Sequence, residues 1–303
     1  MLDQFADAGV VDIAISGGEP LLRKDLFDII AHARSVGLSV GVGTNGAKLT
    51  TNMVKRLVHS GINRVQVSMD GLAHAHDSLR CWPGLHKRVL SSINTAMQAG
   101  LPTHICCTIN QLNVNHLEEF TGFVASLGIR RLNFSRYVPT GRGDQKLDLN
   151  DEDWHKVIIL CNSIRQRYLG HLQIVTHLAQ EILIDPEISE LPGFIGCQAG
   201  MGQGCVTANG TVLPCVLLPQ SIGNIREQSF RDIWNNSLVL HQLRDRNCLQ
   251  GQCGSCHLKE RCGGCRAVAY AKTGNYLATD PRCWLGFTSA LVLHPSKEPS
   301  YQS

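Results

Sequence analysis

Nine of the chain's thirteen cysteines fall between Cys197 and Cys283, and this crowding restricts the fold of the second half more than any other feature. Its densest run is CGSCHLKERCGGC, where Cys253, Cys256, Cys262 and Cys265 are separated by two, five and two residues. Upstream, Cys197, Cys205 and Cys215 bracket the TANG segment Thr207–Gly210, whose Asn-Gly pair between apolar runs predicts a β-hairpin. Downstream, Cys283 follows Asp280-Pro281. In a reducing compartment, clustered thiols are metal ligands more often than disulfides. Four thiolates suit a tetrahedral zinc. Yet a zinc ribbon separates its CxxC pairs by a long loop, and eight or more clustered cysteines match two four-thiolate iron–sulfur clusters better than one zinc. A stretch this rich in glycine and turns has little apolar core, so metal has to staple it. The other four, Cys81, Cys106, Cys107 and Cys161, are scattered and read as small buried hydrophobes.

Up to about residue 185, β-branched runs alternate with amphipathic stretches, the pattern of βα units on a parallel sheet. Strands are expected at Val11–Ser16, Leu38–Gly43, Arg64–Ser68, Thr103–Ile109, Arg131–Arg136 and Leu172–Thr176. Helices are expected at Asp25–Val36, Thr51–Ser60, Lys87–Ala99, Val114–Leu127 and Asp151–Leu169, with Met1–Gly9 the tail of another. Gly37, Gly61, Gly100 and Gly128 stand where left-handed C-caps belong. Right-handed crossovers gather ligands at the C-terminal ends of such strands. There lie Gly17–Pro20, Thr44–Gly46, Asp70–Gly71 and Pro139–Gly143. The fold class is therefore α/β over 1–185, with a cysteine-rich domain over 186–290 and a polar, disordered tail over 291–303.

With a formal net charge of +3 and mixed signs, the chain lacks the basic stripe a nucleic acid or an anionic membrane requires. The absence of a long apolar run and of a signal-peptide pattern points to the cytoplasm.

Gly17-Gly18-Glu19-Pro20 directly follows the first strand. Two glycines let backbone approach a ligand, and the carboxylate can bind an ammonium group, although a plain βα turn has the same form. Ser68 and Asp70 can bond sugar hydroxyls, and Arg80 can hold a carboxylate. Together these residues fit an amino-acid head and a ribose.

These residues resemble the radical S-adenosylmethionine (SAM) enzymes that carry a C-terminal twin-cluster SPASM domain, with similarity over about residues 5 to 285. The fold so implied is a partial (β/α)6 barrel lacking its first strand, followed by the SPASM domain. SGGEP resembles the motif for the methionyl amine, which implies that role for Gly17, Gly18 and Glu19. VSMDG resembles the family's fourth strand, placing Ser68 and Arg80, with Asp70, at ribose and carboxylate, and Tyr137 and Val138 lie where adenine is flanked. The resemblance implies one auxiliary [4Fe–4S] cluster on Cys253, Cys256, Cys262 and Cys283. It implies a second on Cys197, Cys215 and Cys265, with Cys205 the candidate fourth ligand and Cys248 a spare. Cys265 departs from the general motif by one residue of spacing. CGGCRAVAYAKTGNYLATDPRC is similar to SPASM ends of enzymes that modify haem precursors, while peptide-modifying relatives share the architecture. His74, His76 and His86 are placed near the barrel mouth, either touching a tetrapyrrole or as solvated loop histidines.

The family's CxxxCxxC loop for the SAM-cleaving cluster does not occur in the sequence. The chain as written is therefore expected to be inactive, an N-terminally truncated radical SAM oxidoreductase acting on a tetrapyrrole side chain. A third cluster is expected only in a full-length form. The alternatives are a peptide maturase, an iron–sulfur or electron-transfer pseudo-enzyme, and a zinc-stabilised interaction module. Implied partners are a tetrapyrrole or peptide substrate and a ferredoxin or flavodoxin reductant.

Overall fold

The computed structural model describes residues 1–139, 143–176, 178–190 and 194–285. Six strands, β1 (Asp12–Ile15), β2 (Ser39–Thr44), β3 (Arg64–Ser68), β4 (Thr103–Ile109), β5 (Arg131–Arg136) and β6 (Gln173–Thr176), form one sheet in sequential order. Every neighbouring pair is parallel. Parallel neighbours require crossovers, and these carry helices that cover the sheet. The helices are α1 (Leu2–Asp7), α2 (Leu26–Ser35), α3 (Thr51–His59), α4 (Ala73–Arg80), α5 (Leu85–Gln98), α6 (Leu117–Ser126) and α7 (Asp151–Arg167). The apolar spacing decides which face each helix buries. Leu26, Ile30 and Ala33 of α2 and Leu85, Val89, Ile93 and Ala96 of α5 point into the core.

Side-chain caps begin several helices. Thr50 accepts from the Met53 amide at 3.3 Å, and Asn150 from the Asp153 amide at 2.8 Å. At the other ends Gly37, Gly61, Gly100 and Gly128 have φ between +72 and +88°, as the sequence predicts. Two expectations need correction. The stretch 114–127 is divided into a 3-10 turn, Val114–His116, and α6. Helix α4 has no counterpart in the sequence reading, because AHAHDSLR has no apolar stripe and buries only Ala75 and His76. Of the scattered cysteines, Cys107 and Cys161 are buried as expected and Cys106 is half-buried. Cys81 is instead exposed, capping α4 with φ +51°.

Beyond the sheet, β7 (Cys205–Val206), β8 (Thr211–Leu213) and β9 (Gly223–Asn224) make a small antiparallel sheet. The Asn-Gly turn joins β7 to β8 as predicted, with the Thr207 amide bonded to the Thr211 carbonyl at 2.9 Å. Helices α8 (Phe230–Asn236), α9 (Leu238–Arg244), α10 (Gly251–Ser255) and α11 (Arg266–Thr273) complete this region. It is seated on the first one. Val212, Phe230 and Ile233 join the same apolar cluster as the sheet, and Phe5 of α1 meets Phe230 edge-on at 4.8 Å. The predicted tail 291–303 lies outside the described residues, as do residues 140–142 of the loop after β5. Among the described residues no helix is long and apolar enough to cross a membrane.

A second seam holds the end of the described chain. Arg282 donates to Asp148 at 2.5 Å with side-chain exposures of 4% and 9%. Two residues on, Trp284 stacks on His155 of α7 at 4.2 Å. Cys283 is thus fixed from both sides. Removing one member of a buried pair leaves the other charge uncompensated. Asp148→Ala leaves Arg282, among the described residues, only the exposed Asp151, 3.4 Å away, and is expected to lower unfolding free energy by about 1–3 kcal/mol, read as a lower urea midpoint. An unchanged midpoint would show the seam to be dispensable.

Candidate functional site

The strand ends form a rim on which the predicted residues converge. Gly17, just past β1, has φ +134°, a conformation that side chains oppose, and an added Cβ would project into open space. Backbone is therefore what the loop presents. Glu19 turns back toward β2. Its Oε1 accepts from the Thr44 hydroxyl at 2.7 Å and the Leu21 amide at 3.1 Å, and its Oε2 from the Asn45 amide at 2.8 Å. Three donors thus lock the carboxylate, with lone-pair capacity remaining on Oε2 for an ammonium group.

At β3, Ser68 ends the strand half-buried, and Asp70 beyond it is fully enclosed. Asp70 Oδ1 accepts from the Thr108 amide of β4 at 2.9 Å, and Oδ2 takes Arg80 Nε and Nη2, both at 2.7 Å. With its side chain fully buried, Asp70 exposes no oxygen to a sugar hydroxyl. Its effect is to aim Arg80, whose side chain is 33% exposed, from the end of α4. His76 sits beneath: its Nδ1 accepts from the Asp70 amide at 3.1 Å, and burial pulls its pKa from 6.5 down to about 4. It is therefore a neutral support. His76 and His86 are both core residues, their rings 6.0 Å apart and His86 against Phe123, so neither lines a mouth nor sits in a solvated loop. His74 alone is exposed. On β5's exit, the Tyr137 amide bonds the Ile109 carbonyl at 3.2 Å, and Tyr137 and Val138 are half-buried.

In the second region the thiols fall into two groups. Cys253, Cys256, Cys262 and Cys283 line one cavity, of about 420 Å³ counted with its open mouth, roofed by Leu183, Leu258 and Leu285. Amides point at these sulfurs: Asp280 N to Cys253 at 3.3 Å, Leu258 N to Cys256 at 3.4 Å and Gly264 N to Cys262 at 3.4 Å. For the other thiols, the β7–β8 hairpin pairs Cys205 with Leu213, two residues before Cys215. Cys197 N bonds the Cys262 carbonyl at 3.0 Å, so the two groups adjoin. Gly264 makes the CGGC bend possible: its φ is +58°, and a Cβ there would come within 2.9 Å of the Asp280 Cβ. Burial pushes the Cys262 and Cys265 thiols up to about 12. Such sulfurs are protonated when alone and release protons on binding metal. Four soft sulfurs lining one apolar cavity, three of them met by amide donors, fit an iron–sulfur group. Cys248 stands apart, its thiol on Asp245 at 3.6 Å.

One residue that supports these sites went unnoticed in the sequence. Thr108 acts through its backbone amide from a neighbouring strand, and only the sheet register reveals such a partner; Thr44, already placed at a strand end, turns out to hold Glu19 through its hydroxyl.

Comparison with known proteins follows the same division. The radical SAM superfamily matches residues 1–124, and SPASM, an iron–sulfur cluster-binding domain, matches residues 197–266. An AdoMet-dependent heme synthase of Methanosarcina barkeri is 35% identical, covering 93% of this chain and 84% of its own. A PqqA peptide cyclase of Methylocella silvestris is 30% identical over 97% and 81%. In structure, SuiB of Streptococcus suis bound to S-adenosylmethionine aligns with TM-score 0.76 at 21% identity, covering 94% of this chain and 68% of SuiB. That last likeness supports the fold.

His76 gives the rim a pH dependence. A base whose folded pKa is depressed contributes stability that is complete above its ordinary value near 6.5 and is lost as pH falls through about 4. Between pH 7 and pH 4.5 the wild type is expected to lose on the order of 2 kcal/mol more stability than His76→Gln, which cannot take up the proton. Parallel urea midpoints for the two proteins would contradict this.

Proposed function

The chain belongs to the radical SAM superfamily and carries its SPASM iron–sulfur domain, with [4Fe–4S] clusters and SAM as cofactors; from that premise we propose that it serves the modification of a tetrapyrrole side chain. No CxxxCxxC run occurs among the 303 residues, so the roles proposed concern SAM binding, the two SPASM clusters and the substrate. The observation that carries the reading is the cavity lined by Cys253, Cys256, Cys262 and Cys283, together with an aimed arginine on the rim.

In this reading the Gly17–Gly18 backbone and Glu19 receive the ammonium group of SAM. Arg80, held by Asp70, binds its carboxylate, Ser68 its ribose, and Tyr137 and Val138 flank its adenine. Cys253, Cys256, Cys262 and Cys283 hold one cluster, and Cys197, Cys205, Cys215 and Cys265 the other. Bound clusters supply one-electron transfer. The protein's part is to exclude water with the leucine roof and to donate amide hydrogen bonds to sulfur, which favour added negative charge. A flavodoxin- or ferredoxin-type protein is the class of reductant that fits. The preference for a tetrapyrrole over a peptide rests on the higher identity to the heme synthase, 35% against 30% for the peptide cyclase.

Titrating the reconstituted chain with iron coproporphyrin III under anaerobic conditions tests the substrate. A saturable Soret shift, with no binding of the PqqA peptide, is expected. Binding of the peptide alone would reverse the assignment. For the cofactor, Asp70→Asn should leave the fold intact yet weaken SAM binding about tenfold, or about 1.4 kcal/mol, in equilibrium dialysis. Unaltered affinity would remove Asp70 and Arg80 from the site.

A further inference from the structure

Arg136, the last residue of β5, is a buried cation that no hydrogen bond holds among the described residues. It is 7% exposed, and among the described residues none of its three guanidinium nitrogens has a hydrogen-bond partner. Only the Trp154 ring accompanies it, 4.4 Å from the guanidinium carbon. A desolvated cation–π contact contributes about 2 kcal/mol, less than the several kcal/mol it costs to bury a lone charge. An anion therefore belongs opposite it.

The nearby carboxylates are already committed. Asp148 is taken by Arg282 at 2.5 Å. Asp280 accepts from the Cys265 amide at 2.7 Å, the Arg282 amide at 3.1 Å and the Gln180 side chain. What remains is sulfur. Arg136 lines a cavity together with Val268, Ala271 and Lys272 of α11, the helix capped at its N-terminus by Cys265. Once Cys265 is a thiolate, its negative charge is the one that favours the Arg136 cation most. A cluster ligated by four thiolates is anionic and gains a further negative charge on reduction, so a buried cation beside it stabilises the reduced form more.

We propose that Arg136 is the charge-compensating residue through which the SAM-binding half of the chain raises the reduction potential of the cluster on Cys197, Cys205, Cys215 and Cys265. This rests on the ligand reading above. It assigns a role to a residue that neither the SAM site nor the thiol groups account for, and it ties the two halves of the chain electrically as well as by packing.

The test is an EPR-monitored redox titration of the reconstituted chain as wild type, Arg136→Met and Arg136→Lys, with Cys253→Ser used to identify the other cluster's signal. In R136M the ratio of reduced to oxidised cluster at a fixed potential should fall about tenfold, equivalent to about 59 mV for one electron. R136K should restore most of it, and the Cys253 cluster should move little. Failure of R136M to hold this cluster while R136K retains it is the extreme of the same effect and supports the proposal. Melting of the cluster-free proteins gives a second readout: R136M should melt higher than wild type, because its buried charge is gone. Full cluster loading with an unchanged potential would overturn the proposal alone. A wild type that takes up fewer than two clusters would sink the ligand reading and the proposal with it.

Discussion

In the proposed reading, eight thiols drawn from stretches more than eighty residues apart come together in a region with very little apolar core to hold it. Short strands, brief helices and glycine bends give residues 194–285 only small apolar clusters of their own, such as Leu218, Leu240, Leu243 and Ala267. Burial at that scale offsets a limited share of the chain entropy lost on ordering. Thiolate–iron bonds supply the deficit, and they explain features that packing alone leaves unmotivated. These include amides aimed at Cys253, Cys256 and Cys262, the left-handed Gly264, and a leucine-roofed cavity walled by cysteine. Cys283 is the most distant contributor, and the flanking Arg282 and Trp284 contacts dock it against α7 and its approach.

On the rim the governing interaction is the buried Asp70 carboxylate. It joins β3 to β4 through the Thr108 amide and fixes Arg80 on α4, while neutral His76 avoids adding a second cation beneath it. Glu19 does the same work one strand over, tying the loop after β1 to Thr44 and Asn45. In both cases an acid that seems free in sequence also positions its surroundings. The ligand-facing capacity then lies in exposed backbone, in the remaining lone pair of Glu19 Oε2 and in Arg80.

How far the sequence could be read follows from which interactions are local. Strands such as Arg64–Ser68 and Thr103–Ile109 were legible to the residue, since β-branched runs bounded by glycine leave few alternatives. The hairpin was legible from Asn209-Gly210, and the company of Cys253, Cys256, Cys262 and Cys283 around one cavity from the family resemblance. What escaped depends on long-range contacts. Helix α4 is polar and has no apolar stripe, and its ordering comes from Arg80 reaching Asp70 and Asp77 bonding the His86 and Gly84 amides. The burial of His76 and His86 follows from packing against Phe123, which no local pattern announces. Arg136 reads as an ordinary charged residue at a strand end until the second region closes over it.

The central claim is that the cysteine-rich half is built around two four-iron clusters. The most direct measurement is iron, acid-labile sulfide and zinc per chain, with an absorption spectrum, after anaerobic reconstitution. The account predicts about eight irons with matching sulfide and broad charge-transfer absorption, without zinc. Zinc without sulfide would contradict it, and would leave the buried thiols and Arg136 in need of a different explanation.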